Sequence, residues 1–96
     1  MIRSRPIQPS MEVEALPTYM DVHEGMHVSL QQLMEAHKKD LEVQKGTGVE
    51  YVRYWLDSKA GKVFCLAKGP NKEAVEAVHA KAGHPATEVY EVTEGS

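Results

Sequence analysis

The apolar positions of this chain alternate between strand and helix spacing in the order β-α-β-β-α-β, and few folds accept that order. Thr18 to His23 alternates, with Met20 and Val22 on one face and Tyr19, Asp21 and His23 on the other; Gly25 ends this first strand. Ser29 then opens a helix, and Gln32 three residues on completes a capping box. Leu30, Leu33, Met34, His37 and Leu41 fall on one helical face, which is expected to be buried, while Glu35, Lys38, Lys39 and Glu42 take the wet side. Gly46 and Gly48 stop the helix. Val49 to Asp57 and Lys62 to Lys68 are rich in valine and aromatic residues and flank the turn Ser58-Lys59-Ala60-Gly61, so they read as a hairpin. Gly69-Pro70 breaks it. Asn71 caps a second helix, with Glu73 at the positive end of its dipole and a slim apolar face of Ala74, Val75, Val78 and Ala82. Gly83 and Pro85 end that helix, and Thr87 to Thr93 forms a last strand at a sheet edge.

The order predicts an α+β, ferredoxin-like βαββαβ domain: a four-stranded antiparallel sheet with two helices on one face. Right-handed crossovers place the first and third strands side by side in the centre. The other sheet face stays uncovered. On strand two, simple alternation puts Tyr51 with Trp55 and sets Val52, Tyr54 and Leu56 opposite. Both sets are too apolar for water, so a second copy is expected to close the open face as a homodimer. Residues 1–16 read as a flexible tail, mobile over its first ten residues, and 17–96 as one ferredoxin-like domain.

Size and charge exclude several functions. Ninety-six residues build a core two layers deep, too small to hold a large organic cofactor easily. A net charge of −3 offers no basic stripe for nucleic acid or an anionic membrane. A single cysteine forms no internal disulfide, which fits a reducing compartment. No apolar run has the length of a signal peptide or a membrane span, so a cytoplasmic protein is expected.

The chemistry-bearing residues are five histidines and Cys65. Imidazole and thiolate bind borderline and soft transition metals. His37 sits on the apolar stripe of the first helix, with Asp40 three residues on as a partner; the plain alternative is a hydrogen-bonded core histidine. His23 ends the first strand, and His27 follows it in a loop where it reads as solvated. His79 and His84 bracket the end of the second helix, where the dipole alone favours an imidazolium. Cys65 lies on an apolar strand, where inert packing competes with a ligand role.

Several segments resemble a known family. They are Ala36 to Gln44 (AHKKDLEVQ), Gly48 to Trp55 (GVEYVRYW), Gly61 to Leu66 (GKVFCL), Glu73 to His79 (EAVEAVH) and Ala82 to Pro85 (AGHP). Together they are similar to the small bacterial nickel-binding, ferredoxin-like proteins, a family formerly a domain of unknown function. The resemblance runs from about Thr18 to Thr93. It implies the same fold, a homodimer, and a divalent transition metal, nickel first and zinc second. By position it places the family's histidines on His23, His37, His79 and His84 and its cysteine on Cys65. The segment Glu24 to His27 departs from the family's commoner His-His start.

Three readings follow. The first is a metal-binding protein that buffers or senses a nickel-type ion through His37, His23, Cys65, His79 and His84, with affinity falling from pH 7 to pH 5 as imidazoles protonate. The second is a small dimeric enzyme of isomerase or monooxygenase type, with a deep apolar pocket beside His37 and Tyr54. The third is a dimerisation or ligand-sensing module without chemistry. His23 ends a strand and His79 lies late on a helix thought to run the opposite way, so they are expected more than one coordination sphere apart. Five donors would then divide between sites, be completed across a dimer, or be structural in part.

Overall fold

Thr18–His23 (β1) is the strand on which the sheet is built, because it pairs on both edges. The structure is a computed structural model and describes residues 16–95; apart from Leu16, the expected tail and its mobility lie outside the described residues. β1 runs antiparallel to Lys62–Lys68 (β3) and to Glu88–Val92 (β4), and β3 pairs with Glu50–Asp57 (β2). The order β2-β3-β1-β4 places strands one and three in the centre, as the crossover rule requires. Leu30–Val43 (α1) and Lys72–Lys81 (α2) lie on the same face. This is the ferredoxin-like α+β fold.

Both helices begin where their caps dictate. The Ser29 hydroxyl accepts from the Gln32 N–H at 3.1 Å, and the Gln32 side chain accepts from the Ser29 N–H at 2.8 Å. Asn71 accepts from the Ala74 N–H at 2.8 Å. Leu33, Val75 and Val78 pack onto Tyr19, Tyr51, Val63, Cys65, Ala67 and Val89 to form the core. Cys65 therefore faces the helices, with Val63 and Ala67.

Two expectations of facing need correction. On β2 a bulge between Tyr51 and Arg53 inserts one residue, and a single insertion reverses every side chain after it. Tyr51, Tyr54 and Leu56 thus point to the helices, while Val52 and Trp55 point away and are exposed. On α1 the buried residues are Leu33 and Asp40; Leu30, Met34 and Leu41 are exposed. Asp40 is drawn under the helix by two imidazoles, and that polar anchor rotates the apolar stripe towards solvent.

The uncovered sheet face carries Met20, Val22, Phe64 and Leu66, half-buried, with Val52, Trp55 and Tyr90 exposed. Among the described residues no helix is long and apolar enough to cross a membrane.

Candidate metal centre

The face of β1 that carries Tyr19 also carries Asp21 and His23, and all three are buried. A carboxylate with no exposed surface must find donors, and Asp21 finds several. The Tyr51 hydroxyl donates to its Oδ2 at 2.7 Å. His23 Nε2 lies 3.2 Å from its Oδ1. His79 Nε2 lies 3.1 Å from Oδ1 and 3.0 Å from Oδ2. The other nitrogen of His79, Nδ1, lies 2.9 Å from Asp40 Oδ1, and His84 Nε2 meets the same oxygen at 2.7 Å. A chain of alternating carboxylates and imidazoles thus runs from Tyr51 inside the core to His84, which is 22 % exposed.

Local structure sets each position. His79 occupies the last turn of α2 and is fully buried. Gly83, at φ +95°, turns the chain back, and the His84 N–H donates to the His79 carbonyl at 3.0 Å, which returns the second imidazole to the same place. Gly61 anchors the loop after β1, whose Met26 lines the cavity beside the cluster. At φ +67° it packs against His27, whose Cε1 would stand 2.7 Å from an added Cβ, and its carbonyl accepts from the Met26 N–H at 2.7 Å.

The electrostatics follow from this geometry. Burial alone would lower the His79 pKa, but hydrogen bonds to Asp21 and Asp40, with their charges, outweigh it and raise the pKa to about 9. With a carboxylate at each nitrogen, the ring holds both protons. Burial pushes the Asp21 carboxyl up, yet bonds from His23 and His79 overcome it and hold the group below its ordinary value. Asp40 is lowered in the same way by His79 and His84. The Cys65 thiol is pushed up, first by burial and then by the charges of Asp21 and Asp40. Burial lowers His37, which favours its neutral form.

The expected separation of His23 and His79 is overturned: their ring centroids are 4.6 Å apart. α2 returns from β3, which is antiparallel to β1, so α2 runs parallel to β1 and the two C-terminal ends meet. His84 completes the group at 5.1 Å from His79 and 6.2 Å from His23. His37 stands to one side, its ring 4.7 Å from that of Tyr54. His27 is an exposed loop residue against Gly61.

Among the described residues, two sets of donors have ligand atoms within 4.8 Å of one another: Asp21, His23, Cys65 and His79, and Asp40, His79 and His84. Imidazole, carboxylate and thiol in such sets suit a borderline divalent ion. His37 belongs to neither set. It lines, with Met26, Leu33, Ala36, Tyr54 and the cluster, a cavity of about 10 Å³. That volume admits one water-sized guest. The sequence pattern gave Asp21 only a strand face, offered Asp40 as a partner for His37 rather than for His79 and His84, and set Tyr51 on a strand face with Trp55. The signal for Asp21 was its place two residues before His23 on an otherwise apolar strand face.

A family model described as nickel responsive protein SCO4226-like matches residues 19–92. SCO4226 from Streptomyces coelicolor A3(2), known from its crystal structure, is 44 % identical, with a TM-score of 0.78 over 82 % of this chain and 99 % of that one. No curated protein matches significantly. By the length matched and the identity, the chain belongs to the SCO4226-like family of nickel responsive proteins.

Proposed function

We propose that this protein binds a divalent transition-metal ion, nickel first and zinc second, and buffers or senses it in the cytoplasm. The observation that carries this reading is the convergence of His23, His79 and His84 with Asp21 and Asp40 beside a water-sized cavity. Two carboxylates balance one divalent charge once His79 releases its proton to the solvent. Cys65 would complete the innermost donor set, and His37, kept neutral by burial, would be a reserve donor at the cavity wall. The size of the cavity favours an ion over the organic substrate of an isomerase or monooxygenase.

We also propose a homodimer through the open sheet face, which the metal reading does not require. Val52, Trp55 and Tyr90 are exposed there, and Val52 and Trp55 line a notch of about 370 Å³ with Met20, Leu66 and Val92. An apolar sheet face of this kind is ordinarily covered in solution.

Calorimetric titration of chelator-stripped protein with nickel and zinc tests the metal reading. Micromolar or tighter binding is expected, lost in His84→Ala and weakened less in His37→Ala. Only weak chelation, equal in all three proteins, would refute it.

A further inference from the structure

The two donor sets both draw on His79, but through opposite nitrogens: Nε2 faces Asp21 and Nδ1 faces Asp40. They are therefore alternative seats unless the ring bridges two ions as an imidazolate. We propose that the ion takes the seat formed by Asp40, His79 Nδ1 and His84, and that Asp21 is a positioning residue which holds His79 from behind. This deepens the metal-binding reading and rests on it.

Three observations separate the seats. Asp21 is already committed. It accepts from Tyr51, meets His23 and His79, and hydrogen-bonds to Cys65, with no exposed surface. Turning it onto an ion would leave the buried Tyr51 hydroxyl with only its 3.2 Å contact to the Val75 carbonyl. On the other side, both imidazoles of the outer seat meet one oxygen of Asp40, at 2.9 and 2.7 Å, so three donor atoms lie within 4.8 Å of one another.

Access is the second difference. His84 is 22 % exposed, whereas Asp21, His23, Cys65 and His79 are all buried. An ion in the inner seat must shed its whole water shell. One in the outer seat keeps water on the His84 side.

The donors are the third. The inner seat would draw on the sulfur of Cys65, which lies buried beneath the helices. The outer seat offers two imidazole nitrogens and one carboxylate oxygen, a set that leaves positions open for water and suits nickel, cobalt or zinc better than copper(I). His79 would then bind through Nδ1 while its Nε2–H donates to Asp21. A carboxylate behind a ligating imidazole fixes the ring's tautomer and orientation.

The test is titration of the metal-stripped full chain with cobalt(II), read by absorption. The expected result is one ion per chain, visible bands of nitrogen and oxygen donors, and no thiolate-to-cobalt band in the near ultraviolet. Asp40→Asn should abolish tight binding and the bands. Asp21→Asn keeps an acceptor for Nε2–H, so it should keep the band pattern and weaken binding by about tenfold. A thiolate band, a band pattern altered by Asp21→Asn, or two ions per chain would overturn the choice of seat while metal binding stands. No cobalt binding by the wild-type chain would overturn both.

Discussion

His79 holds two buried carboxylates apart with one imidazolium ring. Replacing it with alanine leaves Asp21 and Asp40 buried without their shared cation. Removing one partner of a buried ion pair typically costs about 3–5 kcal/mol, so His79→Ala is expected to lose that much in urea unfolding of the metal-free protein. The same ring sets a pH dependence. Its folded pKa of about 9 lies above the ordinary 6.5, so its contribution is complete below pH 6.5 and is lost as pH rises through 9. Asp21 and Asp40 are held below 3.8, so theirs is present above that value and is lost as pH falls through their folded values. The cluster should stabilise the metal-free chain most between pH 3.8 and 6.5. Melting temperatures should then fall towards pH 10 in wild type, and less steeply in His79→Ala. At this scale the histidines were legible because there are five of them and no competing motif. The aspartates were less so: spacing tied Asp40 to His37, whereas its hydrogen bonds go to His79 and His84, and spacing alone did not single out Asp21 among 14 acidic residues spread along the chain.

The elements themselves were legible. The caps Ser29 and Asn71, the glycines after each helix and the β2–β3 turn all act locally, and each lies where the pattern places it. The Ser29 hydroxyl satisfies the Gln32 N–H, which has no partner within the helix. Ser29→Ala is expected to cost about 1 kcal/mol in the same urea unfolding, with the fold retained. Facing was less legible, because it depends on contacts between elements. The β2 bulge reverses Trp55, and the pull of His79 and His84 on Asp40 turns α1 so that Leu30, Met34 and Leu41 face out. The meeting of His23 with His79 depends on tracing strand directions through three elements, after which the parallel course of β1 and α2 brings both ends together.

Across the whole molecule the helices leave one apolar face of the sheet uncovered. A charge placed on it should oppose any partner that covers it, because a buried, unpaired carboxylate costs several kcal/mol. In the homodimer reading, wild type sediments as a dimer and Trp55→Glu as a folded monomer; a wild-type monomer, or a dimer unaffected by the change, would contradict it. The buried cluster lies on the opposite side of the sheet, under the helices, so the metal reading does not depend on that outcome. The most direct measurement is anomalous diffraction at the nickel edge from crystals of the nickel-loaded protein. A strong peak within bonding distance of His79 and His84 is the expected result. Peaks confined to exposed sites such as His27, with His79 still paired to both Asp21 and Asp40, would contradict it.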